Sequence, residues 1–144
     1  MSDAKIVLAA GPAPLWVRAD SKKLSQALGN VLSNAYKYSP EGGAVAIELI
    51  PPEAGGSRVG IRVSDQGIGM SSAQLSRVFE RFYRADASGQ IPGTGLGMSI
   101  VREIIELHGG EVSVDSTFGA GTQVTLWLPG AAALSEDPLA AQRA

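Results

Sequence analysis

The chain has 144 residues, of which 44% are hydrophobic, and its formal net charge at pH 7 is −2. This length fits one domain with a substantial core, and the apolar fraction excludes wholesale disorder. The weak negative charge gives no reason to expect nucleic-acid binding. The absence of cysteine excludes disulfides and thiolate metal sites. We find neither a signal peptide nor an apolar run near the roughly 20 residues that a membrane-spanning helix needs.

The first predicted helix begins after Asp20, a favoured N-cap residue, and ends near Pro40, which disfavours helix before it. Asn30, Asn34 and Lys37 lie at i, i+4 and i+7 of this helix, within roughly 60° of one another, beside its apolar stripe. Two amides and an ammonium suit a polyphosphate with its metal. A solvated helix face is the alternative interpretation.

An extended segment over residues 4–19 precedes this helix, and strands are predicted over 44–50 and 59–63 after it. The short turn between the two strands requires them to be antiparallel neighbours. The second strand leads into Asp65, Gly67 and Gly69. A carboxylate there can accept the exocyclic amine of adenine, and glycines allow close backbone approach. An ordinary tight turn after a strand is an equally good interpretation.

A short helix is predicted from Ser71 or Ser72 through Arg77, followed by an aperiodic segment over residues 81–94. A loop of this length in a compact domain often acts as a lid. The next helix covers residues 96–107 and opens directly from the glycine-rich segment 93–99. Free N–H groups and the positive end of the helix dipole make such a start a phosphate site. It is neither a P-loop nor the G-x-G-x-x-G fingerprint.

A closing hairpin is predicted from strands over residues 111–116 and 122–128. We therefore expect a single α/β domain over residues 1–130. Its fold would be a two-layer sandwich, in which a mixed, mostly antiparallel sheet packs on helices on one face. Residues 131–144 are Ala-rich and are expected to form a flexible tail.

The order of these segments resembles the ATP-binding catalytic domain of sensor histidine kinases. That domain belongs to the superfamily shared with DNA gyrase, heat-shock chaperones and mismatch-repair ATPases, and the resemblance implies its Bergerat-type fold. The similarity runs from about residue 20 to 129. The matching segments are the N box at 30–40, the first glycine box at 65–70, the F box at 79–84, the second glycine box at 93–98, and 119–122.

The resemblance implies an Mg-ATP site with four catalytic residues. Asn34 would ligate Mg²⁺, and Asn30 would help to hold the metal or the phosphates. Lys37 would contact the phosphates, and Arg84 would reach toward the γ-phosphate from the lid. Relatives that hydrolyse ATP carry a glutamate as general base four residues before the metal-binding asparagine. An amide such as Asn30 cannot accept that proton, so the resemblance implies phosphoryl transfer rather than hydrolysis.

The same resemblance implies an adenine pocket. Tyr38 would lie against the base, Asp65 would accept its amine, and Thr122 would support that bond. Gly67 and Gly69 would leave room for the base. The remaining implied nucleotide contacts are Met70, Gly93, Thr94, Gly95, Leu96, Gly97 and Met98.

His108 is the only histidine, and it follows the last turn of the predicted 96–107 helix. There an imidazole caps carbonyl groups, so we expect a structural role and not a phospho-acceptor. The resemblance implies an acceptor histidine on a separate dimerisation domain of a homodimeric parent, and a response regulator as the next partner. It also implies a monomeric cytoplasmic domain whose parent is anchored in the bacterial inner membrane. The alternatives are an ATP-binding regulatory module without kinase activity and an anti-sigma-type serine kinase.

Overall fold

The fold is known from a computed structural model, which describes residues 5–9 (backbone only), 15–39, 43–53, 55–80 and 97–130. The predicted lid from 81 onward, Arg84, Gly93, Thr94, Gly95, Leu96 and the tail 131–144 lie outside the described residues. Among the described residues, no helix has the length and apolar character to cross a membrane.

Five strands form one sheet in the order β1-β2-β3-β5-β4. Their bounds are β1 Lys5–Ala9, β2 Ala44–Ile50, β3 Arg58–Ser64, β4 Glu111–Thr117 and β5 Gly121–Pro129. β1 pairs with β2 in parallel, and the other three pairings are antiparallel. The predicted mixed, mostly antiparallel sheet is therefore confirmed. β1 and β2 can run parallel because a whole helix connects them.

In the part of the chain that the structure describes, three helices accompany the sheet: α1 Ser21–Lys37, α2 Ser72–Leu75 and α3 Gly97–Leu107. Asp20 caps α1 as predicted, because its carboxylate accepts from the backbone N–H groups of Lys22 and Lys23. α2 is shorter than predicted. Beyond Leu75 the backbone continues in i to i+3 turns, such as Arg77 N–H to the Gln74 carbonyl at 3.0 Å, so the α-helical pattern stops two residues early.

The core lies between one face of the sheet and the paired helices α1 and α3. Alternate residues of β5, namely Val124, Leu126 and Leu128, point into it and are buried. The opposite face carries polar and amphipathic groups. Trp127 packs there, with the Arg58 guanidinium 4.1 Å from its ring centre. One buried face and one polar face produce the two-layer arrangement.

His108 links the ends of the two long helices. Its Nδ1 lies 2.7 Å from the Ile104 carbonyl, and its Nε2 accepts from the Asp20 backbone N–H at 3.0 Å. Because Nε2 accepts, the ring proton sits on Nδ1 and is donated to Ile104. Both ring nitrogens are therefore engaged in packing the domain. The predicted structural role of His108 is confirmed.

Candidate functional site

A cavity opens where α1, α3 and the sheet converge. Most of its lining is apolar, and the polar side chains among the lining residues are few, as binding pockets for flat organic ligands require. The lining residues are Val31, Asn34, Ala35, Tyr38, Val63, Asp65, Gly69, Met70, Val78, Met98, Val114, Thr122 and Val124. Seven of the predicted nucleotide contacts thus meet in one place: Asn34, Tyr38, Asp65, Gly69, Met70, Met98 and Thr122.

Asp65 is the carboxylate of this cavity, and it stands one residue beyond the end of β3. Its Oδ1 accepts two backbone N–H groups, from Gly67 at 2.9 Å and from Thr122 at 3.2 Å. Within the described part of the chain no donor is bonded to Oδ2. One oxygen therefore orients the carboxylate, while the other remains available to a ligand donor.

Burial raises the pKa of Asp65 above its ordinary value of 3.8. The cause is desolvation of the charged form, which outweighs the opposite effect of the hydrogen bonds from Gly67 and Thr122. A ligand donor at Oδ2 would supply the solvation that the cavity withholds. The electrostatics thus favour a ligand that donates a hydrogen bond at this point.

Thr122 and Ser116 stand directly opposite each other in the β4–β5 hairpin. Their hydroxyl oxygens are 2.8 Å apart, and Ser116 Oγ also accepts from the Met70 N–H at 2.8 Å. Ser116 further donates to the Gly121 carbonyl at 3.1 Å. Ser116 was not among the residues predicted from the sequence. The signal was available, because the predicted hairpin ended its first strand at Ser116 and began its second at Thr122.

The glycines of the 65–70 segment allow the backbone to approach other backbone. A Cβ on Gly67 would stand 1.9 Å from the Tyr38 carbonyl oxygen, and one on Gly69 would stand 2.0 Å from that of Thr117. Gly69 also has a φ of +66°, which glycine adopts readily. Of the two, only Gly69 lines the cavity. Gly67 serves the packing of this segment against the end of α1, a reason that the sequence did not reveal.

The polar edge of α1 contributes unequally to the cavity. Asn34 and Tyr38 line it, whereas Asn30 and Lys37, both half-buried, lie outside its lining. The Asn34 amide also faces the start of α3, 3.8–4.0 Å from where a Cβ on Gly97 would stand. The amide and the first turn of α3 thus meet at one end of the cavity. Free N–H groups at a helix start attract anions.

Of the F box, the structure describes Phe79 and Glu80. Phe79 packs against the core, with the Arg102 guanidinium 5.0 Å from its ring centre. The ring therefore anchors the point from which the predicted lid departs. It is absent from the cavity lining.

The sequence over residues 19–132 matches the family described as "Histidine kinase-, DNA gyrase B-, and HSP90-like ATPase". The chain belongs to this family. It is 43% identical over 117 residues to the sensor histidine kinase WalK of Bacillus subtilis, a match that covers 80% of this chain and 19% of WalK. This chain therefore spans about a fifth of that relative, and it corresponds to the catalytic ATP-binding domain.

Solved structures give the same assignment. The mycobacterial sensor histidine kinase MprB superposes with a TM-score of 0.78 at 35% identity, over 89% of this chain and 84% of that one. Full-length ShkA, solved in complex with AMPPNP, gives 0.76 at 30% identity, over 89% of this chain and 26% of that one. The likeness confirms the predicted two-layer α/β fold with its ATP-binding architecture.

Proposed function

We propose that this domain binds Mg-ATP in the cavity and transfers the γ-phosphoryl group to a histidine on a separate dimerisation domain of its parent protein. One observation carries the proposal. Asp65 accepts two backbone N–H groups at Oδ1, its Oδ2 has no described donor, and the residue lines a mostly apolar cavity that Asn34 also lines. The Asp65 carboxylate can accept a hydrogen bond from a purine amine, and the Asn34 amide oxygen can bind the metal of a polyphosphate.

The adenine lies among the apolar side chains of the cavity. Tyr38 and Met98 pack against the ring system, and the amine donates to Asp65 Oδ2. Thr122 supports that bond from the neighbouring strand, since its own N–H holds the other oxygen of the carboxylate. Met70 and Gly69 close the same end of the cavity. The ATP analogue AMPPNP in the complex of the related ShkA supports a nucleotide of this class.

The residues present fit a magnesium ion that arrives with the phosphates. Mg²⁺ commonly uses one or two protein oxygens and completes its shell with phosphates and water. No cluster of three or more acidic or imidazole groups occurs among the described residues, so a dedicated protein cage is not what this part of the chain offers. The amide oxygen of Asn34 is the protein ligand in our proposal, and Asn30 supports it. When bound, the ion neutralises phosphate charge.

The remaining phosphate contacts in our proposal come from two cations and from backbone N–H groups. Lys37 supplies a positive charge from α1, and Arg84 supplies another from the lid. The resemblance adds the backbone N–H groups of the second glycine box, namely those of Gly93, Thr94, Gly95, Leu96 and Gly97. Phosphoryl transfer needs little covalent chemistry from the protein, so catalysis here consists of positioning and charge neutralisation.

Asn30 decides the fate of the γ-phosphoryl group in this proposal. Its amide is not basic enough to take a proton from water. Water attack therefore has no general base on this turn of α1, and the phosphoryl group is retained for a histidine nucleophile. His108 is not that nucleophile, because both of its ring nitrogens are already hydrogen-bonded.

The acceptor histidine lies on the dimerisation domain of a homodimeric parent, and a response regulator receives the phosphoryl group afterwards. The domain alone is monomeric and faces the cytoplasm, and the parent is anchored in the bacterial inner membrane. These partners follow from the kinds of protein that the chain resembles, full-length sensor histidine kinases such as WalK and MprB.

The decisive experiment compares ATP and GTP binding to Asp65→Asn by calorimetry. An asparagine oxygen can keep the bonds from Gly67 and Thr122, but its NH₂ then faces the purine amine as a second donor. We expect ATP affinity to fall about tenfold or more, and GTP affinity to change far less. Asp115→Asn is the control, because that carboxylate is exposed on the same hairpin. Unchanged ATP affinity in Asp65→Asn would remove the adenine assignment.

A transfer assay tests the second half of the proposal. The domain is mixed with Mg-ATP and a separately produced histidine-bearing dimerisation domain, and acid-labile phosphohistidine is measured. Absence of transfer by folded, ATP-binding protein would indicate a regulatory module without kinase activity. Phosphorylation of serine instead would indicate a serine kinase of the anti-sigma type.

A further inference from the structure

Ser116 lies at the centre of the hydrogen bonds that join three segments around the cavity. Its hydroxyl contacts the Met70 N–H of the first glycine box, the Gly121 carbonyl, and the Thr122 hydroxyl on β5. The resemblance assigns Ser116 no role. Because it does not line the cavity, any effect on a ligand must pass through a neighbour. Met70 and Thr122 both line the cavity, but Ser116 contacts Met70 only at its backbone N–H, whereas it contacts the side-chain hydroxyl of Thr122.

The directions of these bonds can be worked out from the number of protons. A serine hydroxyl has one proton and two lone pairs. The Met70 N–H can only donate, so it occupies one lone pair of Ser116 Oγ. The Gly121 carbonyl can only accept, so it takes the single Ser116 proton. The 2.8 Å contact with Thr122 must then use the proton of Thr122.

With its proton given to Ser116, the Thr122 hydroxyl has only lone pairs left to offer a ligand in the cavity that Thr122 lines. Asp65 Oδ2 also presents only lone pairs when the carboxylate is ionised. The wall at this point therefore carries two acceptors and no donor. An exocyclic amine with two N–H groups satisfies such a wall, directly or through one water. A carbonyl at the same position, as in guanine, meets repulsion from both oxygens.

We infer that Ser116 is a positioning residue that orients the Thr122 hydroxyl as an acceptor, and so contributes to the choice of a 6-aminopurine over a 6-oxopurine. The inference rests on the proposed adenine site. If Ser116 is removed, Thr122 is free to rotate and to donate into the cavity. Selectivity for the amine then declines, even though Thr122 and Asp65 are both still present.

The test measures the affinities of ATP, GTP and purine riboside triphosphate, which carries hydrogen at position 6, for wild type and Ser116→Ala. We expect Ser116→Ala to weaken ATP about tenfold and the 6-hydrogen analogue at most about twofold. The preference for ATP over GTP should fall accordingly. Ser116→Thr keeps a hydroxyl and should restore most of the selectivity.

Two further variants separate positioning from general support of the loop. Ser113→Ala removes a serine of the same strand that instead accepts from the Trp127 indole at 2.9 Å, and it should leave all three affinities unchanged. In a Thr122→Val background, Ser116→Ala should no longer alter selectivity, because the hydroxyl through which Ser116 acts is gone. A selectivity change that persists in that background overturns the inference.

Equal losses for ATP and the 6-hydrogen analogue in Ser116→Ala would also overturn it, because they would show that the serine only supports the fold of the loop. Failure of the adenine site itself gives a different result. In that case the wild-type domain would already bind ATP and the 6-hydrogen analogue with equal affinity.

Discussion

The base end and the phosphate end of the proposed nucleotide site are built in different ways. At the base end, Asp65, Thr122 and Ser116 hold one another through backbone and side-chain hydrogen bonds, and glycines bring backbone segments into contact. At the phosphate end, the side chains of Asn30 and Asn34 form no hydrogen bond with any described residue. The base end is thus part of the folded framework, whereas the phosphate end presents groups that await a ligand.

Because of this difference, substitutions at the two ends should affect stability and affinity differently. Buried hydrogen-bonded networks are costly to disturb, because removal of one member leaves the others unsatisfied. Groups without protein hydrogen-bond partners can be removed at little cost to the free energy of unfolding. Their removal still lowers the affinity for a ligand that they contact. Changes at the base end should therefore lower both the free energy of unfolding and affinity, and changes at the phosphate end should lower affinity or rate alone.

The largest expected effect comes from Gly69→Ala at the base end. The new Cβ would stand 2.0 Å from the Thr117 carbonyl oxygen, so the backbone must move. We expect the free energy of unfolding to fall by about 3 kcal/mol or more in denaturant titration. The matched control is Gly119→Ala, which also has positive φ but no atom within 4 Å of the added Cβ. It should cost only about 1–2 kcal/mol. Equal costs would show that the close contact carries no weight.

The second substitution, Asn34→Ala, tests the phosphate end. Loss of the proposed metal ligand should reduce magnesium-dependent phosphoryl transfer to a supplied dimerisation domain on the order of 100-fold, similar to the loss of other transition-state contacts. The thermal unfolding midpoint of the ligand-free protein should stay within about 2 °C. Gln26→Ala, at an exposed position of the same helix, is the control for both measurements. A large drop in the unfolding midpoint would contradict the proposed division between the two ends.

The smallest expected effect is a pH dependence carried by Asp65. Its pKa is raised in the folded protein, so its contribution to stability is fully present below the unfolded-state value and is lost as pH rises through the folded value. The affinity for the amine changes with pH in the opposite direction, because a protonated carboxyl is a weaker acceptor than the carboxylate. As pH falls from above the folded-state pKa of Asp65 toward its unfolded-state pKa, the free energy of unfolding of wild type relative to Asp65→Asn should rise. Over the same range the affinity for adenosine should fall.

Denaturant titration and NMR titration with adenosine, each run across this pH range, measure the two quantities. Adenosine is preferred to ATP because it carries no titrating phosphate. If both quantities moved in the same direction, the carboxylate would not be the acceptor of the amine.

Much of this arrangement follows from local patterns. Asp20 marks the start of α1, and the alternation in residues 44–50 and 59–63 predicts an antiparallel pair, because the turn between them is short. The hairpin that closes the sheet was equally predictable. The early end of α2 was not, since over so few residues the side-chain pattern does not distinguish i to i+3 turns from an α-helix. The raised pKa of Asp65 also depends on burial, which spacing along the chain does not reveal.

The sequence by itself determined which elements form, which face of each is apolar, and which polar groups stand beside those faces. It did so because helix and strand periodicities and capping residues act over a few positions. Only the tertiary structure decided that Asn34 and Asp65 line one cavity while Lys37 does not. It also showed that Gly67 serves backbone packing and that the Ser116 hydroxyl contacts that of Thr122. Those relations depend on how α1 and the sheet pack across a shared core, and distances between elements are set by that packing.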